Sequence, residues 1–299
     1  MPLQSPVLFL IFNRPDKTKQ VFEAIRQAQP AQLFVAADGP RKDRQEEQEL
    51  CKQTREIINA IDWKCELKTL YRSENLGCKI AVSSAINWFF DNVEEGIILE
   101  DDCLPNQSFF HFCDTLLNHY RDDERIMHIG GSNFQDGQIR GDGSYYFSMY
   151  NHIWGWATWK RAWKYYDIEM LSYNNFVESN KIDSLFNISR EKKYWKEIIK
   201  KVKENQINTW DYQWTYSIWT NGGLSILPNQ NLIKNIGFDS QGTHTNNNGN
   251  IFSKMKSTEI NGSLVHPQIM IKDNEADTFA FNLYFYPKLL NLVINKLIK

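Results

Sequence analysis

Short apolar runs separated by amphipathic stretches organise the first part of the chain. "PVLFLIF" is closed by Asn13-Arg14-Pro15, and "DKTKQVFEAIRQA" then places Val21, Phe22 and Ile25 on one helical face. "AQLFVAADGP" is a second run, stopped by the turn residues Asp38-Gly39-Pro40. The charged "KDRQEEQELCKQTREIINAI" reads as a helix with Leu50, Ile57, Ile58 and Ile61 facing in. "CELKTLYR", "KIAVSSAINWFFDNV" and "GIILEDD" follow as strand, helix and strand. Continuous apolar strands alternating with helices predict an α/β fold whose mostly parallel sheet is covered on both faces. Such sheets bind ligands beyond the carboxyl ends of their strands, here Asn13-Arg14, Asp38, Arg72 to Asn75 and Glu100 to Asp102.

From Pro105 the pattern changes. "QSFFHFCDTLLNHYRDD" reads as a helix, "RIMHIGGSNF" as a short strand, and 137–144 as a Gly/Asp-rich loop. In "IWGWATWKRAW", Trp154, Trp156, Trp159 and Trp163 have the spacing a helix needs to bury a stripe, which makes them core candidates. A basic helix near 189–204 and the aromatic "NTWDYQWTYSIWTNGG" come next, then "LSILPNQNLIKNIG" and the polar "FDSQGTHTNNNGN". With no repeat and no flexible linker, the chain reads as one two-lobed unit, 1–104 and 105–277, with a tail at 278–299.

A chain of 299 residues with 42% hydrophobic content can bury a large core. A net charge of −2 and a pI near 6.3 give no basic field for nucleic acid. The five cysteines contain no C-x-x-C pair and read as reduced, mostly buried thiols. The amino-terminal apolar run is too short for a secretory leader, and no run approaches the ~18 residues that span a bilayer. The expectation is a cytoplasmic protein in which the sequons at Asn106, Asn187 and Asn261 are chance matches.

Neither G-x-G-x-x-G nor G-x-x-x-x-G-K-[ST] follows the first strand, so dinucleotide and P-loop folds are not indicated. The six histidines show no zinc-type pairing, and there is no G-x-S-x-G elbow. What stands out is Glu100-Asp101-Asp102, three adjacent carboxylates that repel one another and resist desolvation at the end of a buried strand. A Mg²⁺ or Mn²⁺ ion sharing a substrate's phosphate oxygens would compensate them. A solvated acidic turn, or charges favoured by the dipole of the helix at "NQSFF", is the simpler alternative.

The order "FNRPD", "ADGP", "SENLGCKIAVSSAINWFF", "LEDD", "GWATWKRAW", "WDYQW" and "NLIKNIGFDSQGTHT" resembles GT-A fold glycosyltransferases. It is similar to the N-acetylglucosaminyltransferase I type and to bacterial enzymes that build surface glycans, over roughly residues 5 to 246. The resemblance implies a GT-A fold in which 1–104 is the nucleotide-sugar half and 105–277 the acceptor and catalytic half. It implies a UDP-sugar donor, a glycan or lipid-linked acceptor, and Mn²⁺ or Mg²⁺ on Asp102 in the position of the D-x-D motif. It places Asn13, Arg14, Asp38, Asn75, Lys79, Glu100 and Asp101 around the nucleotide, ribose, diphosphate or donor sugar, and His244 as a second metal ligand or diphosphate contact. Asp211 becomes the general base of an inverting transfer.

Each role has a plainer counterpart: a turn-capping Asp38, a surface ion pair at Arg14, a solvated Lys79, a solvated His244, a helix-capping Asp211. Trp154 and Trp156 are core or acceptor-stacking indoles. The tail, with Lys288, Lys296 and Lys299 among aromatics and Leu/Ile, fits an anionic membrane surface at the inner face or a helix docked on the protein itself. Two other classes fit the same composition. A nucleotidyltransferase that makes nucleotide sugars would carry a Gly-rich, basic signature after its first strand, which "FNRPDKTKQ" lacks. A non-catalytic carbohydrate-binding protein would show no metal-dependent nucleotide affinity.

Overall fold

The four strand segments read in the amino-terminal part form parallel strands, β1 (Val7–Ile11), β2 (Gln32–Ala37), β3 (Glu66–Tyr71) and β4 (Glu95–Glu100). The computed structural model describes residues 3–238 and 255–286. Between the strands lie α1 (Pro15–Ala28), α2 (Glu46–Glu56) and α3 (Cys78–Phe90). Then come β5 (Cys103–Pro105), α4 (Gln107–His119), β6 (Ile126–Gly130), β7 (Tyr145–Ser148), β8 (Trp156–Trp159) and α5 (Lys160–Trp163). The helices α6 (Tyr173–Glu178), α7 (Lys181–Leu185), α8 (Ser189–Lys203) and α9 (Asp211–Thr220) precede β9 (Leu224–Pro228), β10 (Ile233–Asn235) and α10 (Asn274–Ala280).

Eight strands make one sheet in the order β3-β2-β1-β4-β8-β6-β9-β7, and β10 pairs with β5 beside it. The sheet is mostly parallel: β8 and β7 alone run against the other six. Strands from both halves of the chain share it, since β4 pairs directly with β8.

Every residue of β1 is buried, and alternate side chains enter opposite layers. Val7, Phe9 and Ile11 join the core under α1 and α4, while Leu8 and Leu10 join the core under α3, α8 and α9. That two-sided burial is why the strand reads as a continuous apolar run. In α1 the predicted face is the buried one, with Val21, Phe22 and Ile25 almost without solvent contact. After α2 the expected residues also face in, with Ile58 buried and Ile57 and Ile61 packed on the core, while α2 itself buries Glu47, Cys51 and Thr54 and leaves Leu50 half-buried. The inward acid Glu47 has a polar partner, described below, and that turns the helix face.

The tryptophan-rich stretch is core, but not as a helical stripe. Trp156 and Trp159 lie on β8, three apart, so the two-residue period of a strand sends them to opposite layers. Only Trp163 sits in the short α5. Asn106, at one of the sequons, caps α4 by accepting from Phe109 N at 3.1 Å.

The start of the tail packs on the protein itself. The boundary at 278 falls inside α10, Phe281 is fully buried, and the Arg190 guanidinium lies over the Phe281 and Tyr286 rings. Residues 287–299, with Lys288, Lys296 and Lys299, lie outside the described residues, and the expectation of membrane contact rests on them. Among the described residues no helix is long and apolar enough to cross a membrane.

Asp277 in α10 is buried and accepts from Ser148 Oγ and, at 3.2 Å, from Met149 N. Burial pushes its pKa up to about 7, against the pull of those two donors. A raised carboxyl pKa stabilises the fold fully below the unfolded value and loses that contribution as pH rises through the folded one. Thermal stability is therefore expected to fall between about pH 4 and pH 7. Asp277→Asn should flatten that slope measurably, whatever it does to the level of Tm, and scanning calorimetry across that range checks it. A slope unchanged by the substitution would show that Asp277 is ionised throughout.

Candidate active site

Two strand ends and one helix start deliver acids to the same crevice, and a third strand end delivers Arg14. β4 ends on Glu100, and Asp101 and Asp102 follow in the turn into β5. Arg14, the residue before α1, points Nη1 at Asp102 Oδ2 (2.9 Å) and at Asp101 Oδ1 (3.5 Å). One guanidinium thus compensates the triplet in part. Burial, then the neighbouring Asp102, pushes Asp101 up to about 7, against Arg14 and the Phe12 backbone. Burial likewise raises Glu100 well above the carboxylate range, and Asp102, Asp101 and Asp211 add to it.

That last contribution is the long-range one: α9 brings Asp211 into the field of Glu100 from the far half of the chain. Asp211 opens α9 and does not cap it, since the cap position is Trp210, which makes no side-chain cap bond. Its Oδ1 accepts from Thr209 Oγ1 and, at 2.9 Å, from Tyr212 N. Trp210 and Trp214 beside it are buried.

Cys78, which no motif singled out, opens α3 and feels the same acids. Its thiol is pushed up to about 12, first by burial and then by Glu100, Asp211, Asp38 and Asp102, acids from three segments of the chain. The one available signal was position: it is the first residue of α3, on the crevice side of the sheet.

Asp38 ties two loops together. Its oxygens accept from Gly39 N (2.9 Å), Leu76 N (3.0 Å), Gly77 N (3.2 Å) and Asn75 Nδ2 (2.9 Å). Asn75 Nδ2 also donates to Gly39 O at 2.9 Å. A Cβ at Gly39 would come within 2.4 Å of the Glu74 backbone, so this clasp closes only on glycine. Asn13 is held away from the acids, donating to Glu47 Oε1 at 3.1 Å. Glu47, buried in α2, also takes Arg41 Nε at 2.8 Å, and that hydrogen-bonded pair holds its carboxyl below the usual range. Neither Glu47 nor Arg41 was singled out in the sequence. Lys79 Nζ donates to Asn205 Oδ1 at 3.1 Å, which spans the crevice from α3 to the turn after α8.

No protein-family model matches the chain, and no curated protein matches it. Among solved structures, HddC from Yersinia pseudotuberculosis aligns with a TM-score of 0.33 at 10% identity, over 53% of this chain and 78% of that one. So low a score bears on neither fold family nor activity.

The expected acceptor-stacking role of Trp156 is corrected by its burial. It has no exposed surface and lies stacked against Trp210 and His128, where no sugar reaches it. Trp154 is only half-buried and meets Phe134 and Phe238 edge-on. His244 lies outside the described residues.

Among the described residues no group of three or more His, Cys, Asp or Glu side chains is placed to hold a metal ion. A divalent ion here would have few protein carboxylates to draw on, chiefly Asp102, whose side chain is 19% exposed. That donor set fits Mg²⁺ or Mn²⁺, which take one or two carboxylates and complete the shell with water and substrate phosphate. Asp102 is also tightly seated. Its backbone oxygen accepts from Ile236 N at 2.8 Å, and a Cβ at Gly237 would fall 2.4 Å from Oδ2.

Proposed function

We propose that the chain is a metal-dependent, inverting glycosyltransferase of the GT-A type. In this reading it moves a sugar from a nucleoside diphosphate donor, UDP by preference, onto a glycan or glycolipid acceptor in surface polysaccharide synthesis. The observation that carries the reading is the placement of the Glu100–Asp102 triplet and Arg14 at the carboxyl end of the sheet, with Asp211 of α9 near enough to act on Glu100. An anionic crevice of this kind needs cations, and a diphosphate leaving group needs them too.

Each residue has a definable task. Asp102 is the carboxylate that would hold Mn²⁺ or Mg²⁺, which when bound neutralises charge on the departing diphosphate. Arg14 is a second positive group for the same diphosphate. Glu100 and Asp101 accept from hydroxyls of the ribose or the donor sugar. The Asp38–Asn75 clasp sets the loops that flank the nucleotide. Asp211 takes the proton of the acceptor hydroxyl as that oxygen attacks the anomeric carbon from the face opposite the diphosphate. Trp154 is the indole left to stack on an acceptor sugar.

Calorimetry with UDP, with and without Mn²⁺, tests the reading directly. Binding is expected to be tighter with Mn²⁺, and Asp102→Ala should weaken the metal-dependent binding at least about tenfold. An equal loss in the absence of metal would mean that the substitution damages the fold and that Asp102 holds no ion. A panel of nucleotide sugars read by thermal shift then identifies the donor, since a bound ligand raises apparent stability with the logarithm of its excess.

A further inference from the structure

The acidic end of β4 already has a cation, and it is not a mobile one. Arg14 contacts both Asp101 and Asp102, and its side chain is only 16% exposed, against 19% for Asp102. Screening by solvent and salt is weak for so shielded a pair. A divalent ion bonded to a carboxylate oxygen sits about 2.1 Å from it. Arg14 Nη1 stands 2.9 Å from Asp102 Oδ2, so both cations would crowd one carboxylate and repel each other. Asp102 is itself seated: its backbone oxygen accepts from Ile236 N, and Gly237 stands close enough that a Cβ there would fall 2.4 Å from Oδ2. Arg14 is therefore the partner that must move or be shared. A diphosphate resolves the conflict, offering one oxygen to the ion and another to the guanidinium.

We infer that Arg14 is the resident counter-ion of Asp102 and the residue that couples divalent-cation binding to diphosphate binding. The ion binds weakly to the free protein and tightly once a nucleoside diphosphate draws Arg14 off the carboxylate. This rests on the role proposed above for Asp102. By linkage the coupling is reciprocal: the ion raises affinity for the diphosphate by the same factor.

Mn²⁺ binding to the full chain, followed by the electron paramagnetic resonance signal of the free hydrated ion, tests it with and without UDP. Wild type should bind Mn²⁺ at least about tenfold more tightly with UDP than without. Arg14→Gln should bind Mn²⁺ alone at least about tenfold more tightly than wild type and gain less from UDP. Arg14→Lys, which keeps the charge, should behave as wild type. Arg14→Met gives the same comparison if circular dichroism shows that Arg14→Gln has not folded. An unchanged or weaker Mn²⁺ affinity in the uncharged variants, with UDP still tightening wild type through Asp102, would overturn the role of Arg14 alone. Mn²⁺ binding that is absent with UDP, or indifferent to Asp102→Asn, would overturn both this inference and the proposed function.

Discussion

Asp211→Asn is expected to leave UDP and Mn²⁺ binding intact and to cut sugar transfer by ~10²–10⁴, the range that a positioned general base supplies. The substitution preserves shape. An Asn Oδ1 still accepts from Thr209 Oγ1 and Tyr212 N, so the first turn of α9 keeps its local bonds. What disappears is a group able to take a proton. It also removes one negative charge from the field of Glu100 and Cys78, a change that does not weaken the binding of an anionic donor. Initial rates with the donor found by thermal shift, set beside calorimetry of UDP binding, separate the two effects. Turnover retained within a few-fold of wild type would remove Asp211 from the mechanism. Loss of UDP binding in step with turnover would make it a residue of the donor site instead.

The parallel part of the sheet was legible because burial on both faces leaves an unbroken apolar run, and β1, β2 and β4 are three such runs, while β3 at the sheet edge is mostly exposed. Their polar ends were legible for the same reason. Asn13, Arg14, Asp38 and the Glu100–Asp102 triplet are the first residues past each run, and the structure sets Arg14, Asp38 and the triplet around one crevice. The partners of those residues were not legible. Glu47 looked like one acid among many in a charged helix, yet it is the buried anchor for Arg41 and Asn13. Asp38 is engaged by backbone N–H groups of a loop almost forty positions later, and the backbone carries no residue-type signal. Ile236 N reaches the Asp102 backbone oxygen, and Gly237 leaves space beside its carboxylate, because β10 pairs with β5, a contact that no local pattern encodes.

The tryptophans show how a correct conclusion can rest on the wrong period. Three-residue spacing suits a helix, but on β8 it sends Trp156 into one layer and Trp159 into the other. Trp156→Ala is accordingly expected to act on stability. It removes an indole with no exposed surface from between Trp210, Trp214 and His128 and leaves a cavity, at a cost of ~3–5 kcal/mol. That is a large share of the ~5–15 kcal/mol that holds a typical domain together. Urea denaturation should show the midpoint lowered with little change in slope. Trp156→Phe makes the argument sharper. The Trp156 Nε1 is buried without a hydrogen-bond partner, so phenylalanine gives up no bond and relieves an unmet donor, against a smaller loss of volume. The Phe variant should therefore lose well under half of what the Ala variant loses. A Trp156→Ala protein as stable as wild type, but with a raised KM for acceptor, would return this indole to the acceptor site and contradict its place in the core.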